Sequence, residues 1–258
     1  MEIEPNTEPS CAACSAVFKK KGATACWSPD PAAAPPRPGN CPTAHHGDVV
    51  ESAMALYRPG GPEERLARVA AEVEGLCYES RPDGAVYARW TRVEDTIALA
   101  KRMGWRRIGI ATCIGLLDES ARLAEILEAQ GLEPMSVCCK VGSVDKSALG
   151  IAEELKVRPG TFEPLCNPVA QARVLNRMGT DMNVIMGLCV GHDMLFVKHA
   201  DAPTTTLVAK DRVTGHNPVA ALYGNHFYYK RLAKQAISSP RDRTAGAGVQ
   251  PEVPGKTG

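Results

Sequence analysis

Residues 107–131, RIGIATCIGLLDESARLAEILEAQG, decide the fold, because the spacing of their apolar residues changes along the stretch. Its first six residues form a short apolar run that is typical of a strand buried on both faces. Residues 118–130 then repeat their apolar side chains at helical spacing, and Gly131 follows where a helix C-cap is expected. The stretch therefore predicts a buried strand that leads into an amphipathic helix.

The same alternation recurs along the chain. Further helices are predicted at 92–103, 147–155 and 168–178, and further strands at 134–139, 161–165, 182–188 and 204–209. Strands that alternate with helices of about ten residues favour a mainly parallel sheet with helices on both faces. We therefore predict an α/β fold with about five strands, whose carboxyl ends lie along one edge of the sheet.

Proline-rich composition separates the ends of the chain from this core. Residues 27–47, WSPDPAAAPPRPGNCPTAHHG, hold too many prolines for a helix or a central strand. Two helices at 49–57 and 62–78 and a last one at 228–236 complete the predicted elements. We predict a cysteine-rich head at 1–47, a core domain at 48–237 and a disordered tail at 238–258.

Composition narrows the class of protein. With 44% hydrophobic residues and a net charge of +1, the chain has a globular composition and no field that would recruit nucleic acid or an anionic membrane. Its first ten residues are acidic and polar, unlike a secretory signal, and no apolar run approaches the roughly 20 residues of a spanning helix. We expect a cytoplasmic protein, in which clustered cysteines are more often metal ligands or reactive thiols than disulfides.

Cysteines recur where the predicted strands end. They are Cys113, Cys138, Cys139, Cys166 and Cys189. Because open α/β sheets bind ligands at the carboxyl ends of their strands, these thiols could share one pocket. Thiolates suit iron–sulfur clusters and zinc, so we predict that Cys113, Cys139, Cys166 and Cys189 ligate an iron–sulfur cluster, with Cys138 as a possible substitute and zinc as the alternative metal. Small buried hydrophobic residues are the other interpretation.

The segment GLCVGHDM around Cys189 could add functional groups. Gly187 and Gly191 allow close backbone approach to a cofactor. If a helix begins near His192, its free amides could bind an anion or lower the pKa of Cys189, which would make Cys189 a candidate nucleophile. His192 itself is predicted as a catalytic residue. A glycine-containing turn without a ligand is the alternative.

Polar residues after the second and last strands complete the predicted site. Lys140, Lys210 and Arg212 could bind an anionic substrate, with Asn217 beside them as a further binding residue. Asp211 and His216 could carry protons if they lie within hydrogen-bond reach of the substrate. Lys140, Asp211 and His216 are therefore predicted as catalytic, and Arg212 and Asn217 as cofactor-binding. Solvated loop charges are the alternative for each.

The head holds a second group of cysteines. Cys11 and Cys14 have the spacing that lets two thiolates reach one ion from a tight turn, and Cys26 and Cys41 would complete a four-cysteine site. A metal would then order a segment that has little core of its own. A metal-free head with incidental thiols is the alternative.

Five stretches of the chain resemble a known family. They are GIATCIGLLDE, SVCCKVG, LCNPVAQARVLN, GLCVGHDMLF and AKDRVTGHNPVAALY, within residues 90–232. They are similar to the domain of unknown function family 1847 of bacteria and archaea, whose members are described only as predicted metal-binding proteins. The cysteine-bearing head is also similar, although the proline-rich insert between Cys26 and Cys41 departs from a more compact head. The resemblance implies metal binding and names neither the metal nor a reaction.

Together these observations predict a metal-binding protein with redox or small-molecule chemistry at the sheet edge. A small anionic ligand or a redox partner is expected there, whereas the oligomeric state is left open. The alternative is a zinc-stabilised binding or sensor protein without turnover. A thiol enzyme that uses Cys189 as its nucleophile is the third possibility.

Overall fold

The protein is described from a computed structural model that covers residues 9–14 and 41–237, and the chain divides into two units after Ala88. The first unit contains helices α1 (Pro42–His45), α2 (Gly47–Tyr57) and α3 (Glu64–Leu76), and the antiparallel strands β1 (Tyr78–Ser80) and β2 (Val86–Ala88). Both helices expected from the sequence, at 49–57 and 62–78, are confirmed. The hairpin was not predicted, because strands of three residues are too short to display an alternating pattern.

The second unit is an α/β domain built on four parallel strands. Its elements are α4 (Arg92–Met103), β3 (Arg107–Thr112), α5 (Leu117–Ala129), β4 (Glu133–Cys138), α6 (Pro168–Met178), β5 (Met182–Met186), α7 (His192–His199), β6 (Thr204–Val208), α8 (Val219–Tyr223) and α9 (Arg231–Lys234). The strand order is β4-β3-β5-β6, and all three pairings are parallel. The predicted fold class, a parallel sheet flanked by helices, is confirmed.

Local signals place the helix ends where the sequence predicts them. Thr91 forms a capping box with Glu94 at the start of α4, and Gly104 ends that helix with a φ of 72°. Asn167 caps α6 by accepting from the N–H of Ala170, and Pro168 occupies the first helical position, where no N–H is needed.

The core lies on both faces of the central strands. Ile108 and Ile110 of β3 pack with Leu123 and Leu127 of α5 on one face. On the other face, Ala111 lies with residues of α6 and α7 such as Leu175 and Phe196. Because alternate residues of a strand point to opposite faces, a strand covered on both sides becomes a continuous apolar run.

The sheet has four strands rather than the predicted five. Residues 161–165 form only an isolated bridge between Pro164 and Asp145, supported by the N–H of Leu165, which donates to the carbonyl of Val144 at 2.7 Å. Pro164 has no N–H to give to a ladder. The N–H of Glu163 donates instead to the Asp145 carboxylate at 2.7 Å. The predicted weak strand is therefore part of a loop that connects β4 to α6.

Two predicted helices are also wrong in extent. Residues 147–155 form two separate 3₁₀ turns, Lys146–Leu149 and Glu153–Leu155, because Gly150 adopts a left-handed φ of 71° between them. The last predicted helix, at 228–236, is reduced to the single turn of α9, since Phe227 leaves the helical conformation just before it. None of the described helices is long and apolar enough to cross a bilayer.

The predicted division into head, core and tail stays a prediction. Residues 15–40 and 238–258 lie outside the described part of the chain.

Candidate functional site

Three cysteine thiols meet at the carboxyl edge of the sheet. Cys113 directly follows β3 and Cys139 directly follows β4, and the parallel register that pairs Thr112 with Cys138 brings the two side by side. The N–H of Cys139 extends this ladder by donating to the carbonyl of Thr112 at 2.8 Å. The thiols of Cys113 and Cys139 are hydrogen-bonded, and the Sγ of Cys166 lies 3.8 Å from that of Cys139.

The loop between β4 and α6 carries Cys166 back to this edge. The N–H of Asn167 donates to the carbonyl of Cys139 at 2.7 Å, and the ammonium of Lys140 donates to the carbonyl of Pro164 at 2.6 Å. Cys166 is therefore held beside Cys139 by backbone contacts on both sides of it.

Asp145 organises the interior of that loop. Its carboxylate accepts from the N–H groups of Ser147 and Glu163, and these contacts are the largest reason why its pKa lies below the usual range. Lys156, which is only 3% exposed, lies 3.0 Å from the same carboxylate and also pairs with Glu153. A buried lysine needs such partners, so the loop closes around it.

An apolar floor lies beneath the thiols. Cys113 and Cys139 belong to the core cluster that contains Leu116, Leu175 and Leu188. Gln171 of α6 is buried. Its amide nitrogen donates to the carbonyls of Thr112 and Val137, which lie on the adjacent strands β3 and β4. The sequence analysis missed Gln171, although a fully buried amide on the apolar face of a helix needs such partners.

Three of the sheet-edge thiols each contact one cation. Lys140 donates to Cys166 Sγ at 3.3 Å, and Arg212 Nη2 donates to Cys189 Sγ at 3.1 Å. Lys210 hydrogen-bonds with the thiol of Cys113. Lys210 lies two residues after β6, among the cations predicted at the end of the last strand, but the sequence did not indicate which thiol it would contact. Cations within this distance favour the thiolate form of cysteine.

The three touching thiols, those of Cys113, Cys139 and Cys166, differ in how readily they lose their protons. The hydrogen bond from Cys139, with help from the amide of Gly115 and from Lys210, lowers the pKa of Cys113 to about 4. A second hydrogen bond with Cys139, followed by the charges of Lys140 and His192, lowers the pKa of Cys166 to about 5. The same two hydrogen bonds raise the pKa of Cys139 far above its usual range, so Cys139 holds the proton of the group.

The donor set fits a thiophilic metal. Soft thiolates bind iron–sulfur clusters and zinc, and the cations around them offset the negative charge that several thiolates bring to one site. Among the described residues, no group of three or more Cys, His, Asp or Glu side chains is spaced to hold an ion as it stands. The sulfur atoms of Cys139 and Cys166 lie 3.8 Å apart, in contact with each other. The cysteine-rich edge is thus compatible with iron–sulfur binding.

The glycines near Cys189 serve packing and turn geometry. A Cβ on Gly187 would come within 2.6 Å of the side chain of Leu116, so packing requires glycine here, and its role in binding a cofactor stays a prediction. Gly191 adopts a φ of 87° just before α7, and nothing lies near the place where its Cβ would be. The backbone N–H of Gly191 donates to the carboxylate of Asp193 at 3.0 Å, which occupies the helix start that was predicted to bind an anion.

His192 and Cys189 lie at the other end of the site. His192 begins α7, as expected, and its charge reaches Cys166. Its Nδ1 is buried and has no hydrogen-bond partner among the described residues. Cys189 is half-buried, and its contact with Arg212 places one thiol and one guanidinium together after β5. The hydrogen bond with Cys189 raises the pKa of Arg212, and the charges of Cys113 and Cys166 add to this effect.

Asp211, His216 and Asn217 belong to the loop after β6. The carboxylate of Asp211 accepts from the N–H groups of Val213 and Thr214. His216 Nδ1 accepts from the N–H of Asp211 at 3.1 Å, in a left-handed conformation with a φ of 66°. These contacts close the loop that carries Arg212, and Asn217 lies exposed behind it. Proton transfer by Asp211 or His216 stays a prediction.

The remaining predicted ligands are Cys138 and the cysteines of the head. Cys138, the last residue of β4, packs against the core cluster on the α6 side of the sheet. In the head, Cys11 and Cys14 lie in one tight turn, where the N–H of Cys14 donates to the carbonyl of Cys11, and Cys41 precedes α1. Cys26 lies outside the described residues, so the predicted head site stays a prediction.

A separate open cleft lies away from the cysteines. Its volume is about 610 Å³, and residues of α4 and α5 line it, including Trp90 before α4 and Ile97 and Ile126 within the helices. No cysteine lines this cleft, so it is separate from the cysteine site described above.

Comparison with known proteins shows one family and one uncharacterised relative. The model of the family "Protein of unknown function (DUF1847)" matches residues 41–207, which include all the sheet-edge cysteines. A protein of Methanocaldococcus jannaschii, also described as uncharacterised, is 44% identical over 187 residues, which cover 72% of this chain and 88% of the relative.

Two solved structures of Dph2 from Pyrococcus horikoshii, one with a 4Fe-4S cluster, are also similar. They share 21% and 19% identity with this chain and cover 55% and 60% of it, with TM-scores of 0.30 and 0.29. The match spans about a third of the Dph2 chain in each case. TM-scores this low carry no inference about the ligand of this protein.

Proposed function

The chain belongs to the family of unknown function DUF1847, whose name assigns no chemistry, and we propose from its own residues that it holds an iron–sulfur cluster at the carboxyl edge of its sheet. Cys113, Cys139 and Cys166 are the proposed ligands, and Cys189 is the candidate for the fourth position. The cluster would support redox or small-molecule chemistry.

One observation carries this proposal: a separate cation contacts each of the thiols of Cys113, Cys166 and Cys189. A cysteine that serves only as a small core residue needs no such partner. Cations and hydrogen bonds to sulfur are, in contrast, the means by which a protein stabilises several thiolates in one place and tunes an iron–sulfur centre. The sheet edge is also where α/β folds bind ligands.

The surrounding residues would act on the cluster and on a small ligand. A bound cluster would supply electron transfer or a site for a substrate. Lys140, Lys210 and Arg212 would hold the thiolates and attract an anionic ligand, since their positive charges face one edge. His192, with its buried and unpartnered Nδ1, is the proposed proton carrier of this edge. We place the protein in the cytoplasm, where thiols stay reduced.

Anaerobic purification followed by metal analysis tests the proposal. Every protein compared carries serine at Cys11, Cys14, Cys26 and Cys41, so that the head cannot supply metal. We expect a coloured protein with iron and acid-labile sulfide in equal amounts, and loss of both when Cys139→Ser is added. Cys138→Ser is the matched control, because it removes the adjacent thiol, which is not one of the three proposed ligands. Circular dichroism of both variants separates loss of the cluster from loss of the fold. Iron that persists in Cys139→Ser would exclude the proposed ligands.

Zinc is a second candidate, favoured by one distance. Two thiolates on a tetrahedral zinc with Zn–S bonds of about 2.3 Å lie about 3.8 Å apart. The sulfur atoms of Cys139 and Cys166 are separated by 3.8 Å. The protein would then be a zinc-stabilised sensor or binding protein without turnover, and anaerobic preparations would be colourless and would contain zinc in place of iron and sulfide.

A further inference from the structure

We propose that Cys139 and Cys166 form a disulfide when the chain carries no metal, and that this bond closes the sheet-edge site until it is reduced. The closing effect rests on the proposed function, since it concerns the loading of that same site. Formation of the bond depends only on the placement of the two thiols.

The two sulfur atoms are already in contact. Their separation is 3.8 Å, and a disulfide bond requires about 2.0 Å. The main chains at Cys139 and Cys166 also lie close together, because the N–H of Asn167 donates to the carbonyl of Cys139 at 2.7 Å. Close backbones matter because a disulfide spans Cα atoms only about 4.4–6.8 Å apart. A small rotation of the two side chains would therefore complete the bond.

Cys166 is a better partner for Cys139 than Cys113 is. The backbones of Cys113 and Cys139 are both held by the sheet, with the N–H of Cys113 donating to Met186 at 3.0 Å and that of Cys139 to Thr112 at 2.8 Å. Cys166 lies in an irregular segment between the loop and the start of α6. A bond to Cys166 can thus adjust through a loop, whereas a bond to Cys113 must adjust two strand ends.

Exposure determines the order of the reaction with a hydroperoxide. Cys166 is half-buried, whereas Cys139 is only 2% exposed. The Cys166 sulfur attacks one peroxide oxygen, the O–O bond breaks, and the products are a sulfenic acid and one water or alcohol. The Cys139 sulfur then attacks Cys166 Sγ and forms the S–S bond, while the sulfenic oxygen leaves as water. In total the two thiols lose two protons and two electrons, and the peroxide accepts them.

The bond would remove two of the three proposed ligands at once. A sulfur atom in a disulfide has no thiolate charge with which to bind a metal. Of the proposed ligands, Cys113 and the candidate Cys189 would remain, and two thiolates do not complete the ligand set of a cluster or a structural zinc. The site would therefore accept metal only in a reducing environment.

Peroxide treatment of the full-length, metal-free protein tests the proposal. The protein is prepared reduced, treated with equimolar hydrogen peroxide and digested with trypsin without reduction. We expect peptide 123–140, which contains Cys138 and Cys139, linked to peptide 157–173, which contains Cys166, with the mass of two hydrogen atoms lost. The link should persist in Cys138→Ser and be absent from Cys139→Ser. We also expect the oxidised protein to lose its uptake of ferrous iron with sulfide, and of zinc, and to regain both after reduction.

Two results would overturn the proposal. One is the absence of this link, or a link of Cys139 to peptide 108–122, which contains Cys113. The other is equal metal uptake by the linked and the reduced protein. If the reduced protein takes up neither metal, the proposed function fails, and the peptide link still decides whether the disulfide forms. The peptides are also measured in the protein without substitutions, so a folding defect of a variant cannot imitate the result.

Discussion

Protons at the three touching thiols determine how the site responds to metal. At neutral pH the lowered pKa values leave Cys113 and Cys166 as thiolates, whereas the raised pKa of Cys139 keeps its proton in place. Metal binding must remove that remaining proton, because only thiolates are ligands. A Cys189→Ser variant limits the measurement to these three thiols. We predict that zinc binding to it at pH 7 releases about one proton at this site, not three.

Calorimetry in buffers of different ionisation enthalpy measures this release. Replacing Cys139 as well should abolish the release at the sheet edge. Replacement of the head cysteines in every protein compared removes their contribution to the signal. Release of about three protons would show that the thiols do not share their charge as described.

Lys140 gives the second prediction at the residue scale. Its ammonium contacts Cys166 Sγ and is, after the hydrogen bond from Cys139, a cause of the lowered pKa of Cys166. Without the cation the thiolate is less stable, so its pKa rises. In Lys140→Met we expect the pH midpoint for alkylation of Cys166 to move up by about one pH unit.

Mass spectrometry of the Cys166 peptide follows this reaction without interference from the other cysteines. Lys198→Met, which removes an exposed lysine from α7, is the matched control and should leave the midpoint in place. An equal shift in both variants would assign the effect to net charge and not to the contact.

At the scale of elements, Gly187 and Gly191 serve different purposes although both adopt a positive φ. A Cβ at Gly187 meets Leu116 at 2.6 Å, whereas a Cβ at Gly191 meets open space. Both alanine variants carry the backbone strain, but only Gly187→Ala also overpacks the core. We predict that Gly187→Ala lowers the free energy of unfolding by about 1–3 kcal/mol more than Gly191→Ala. Urea denaturation measures the difference, and equal losses would contradict the packing role of Gly187.

The loop between β4 and α6 gives a further prediction. Asp145 holds this loop through two backbone N–H groups and the buried Lys156. Asp145→Asn removes the charge that partners Lys156, so the loop should open more often. We expect faster tryptic cleavage after Lys156 and slower binding of metal by Cys166. Asp201→Asn, an exposed position after α7, is the control, and unchanged cleavage in Asp145→Asn would remove the proposed role.

Elements whose apolar residues recur at a regular spacing could be predicted from the sequence, whereas the loop between β4 and α6 could not. The apolar runs of β3 and β5 and the amphipathic repeat of α5 carry their structure in the pattern of burial. Within residues 140–166 the helix predicted at 147–155 and the strand predicted at 161–165 were wrong, because no regular apolar spacing is sustained there. The conformation of this loop follows from individual contacts, such as the Asp145 carboxylate with the N–H of Glu163, which no periodicity reveals.

At the scale of the whole molecule, parallel topology accounts for what was correctly expected of the site. Strands that run in one direction bring their carboxyl ends to one edge, so Cys113 and Cys139 had to lie near each other once β3 and β4 paired. The pairing of individual cations with individual thiols could not be predicted. Lys210 reaches Cys113 across a separation of 97 residues, and such contacts depend on side-chain geometry that spacing along the chain does not contain.

The two groups of cysteines lie in different units of the chain. Cys113, Cys139 and Cys166 belong to the second unit, and the head cysteines belong to the first. A metal measured on the whole protein could therefore come from either group. Any decisive measurement must assign it.

Iron and acid-labile sulfide in anaerobically purified protein test the central claim most directly. The comparison includes the natural chain, a variant with serine at Cys11, Cys14, Cys26 and Cys41, and a variant with serine at Cys113, Cys139 and Cys166. We predict that the head variant retains a coloured centre with equal iron and sulfide, and that the sheet-edge variant loses it while remaining folded. A head variant without iron and sulfide, or a colourless natural chain that contains only zinc, would contradict the account.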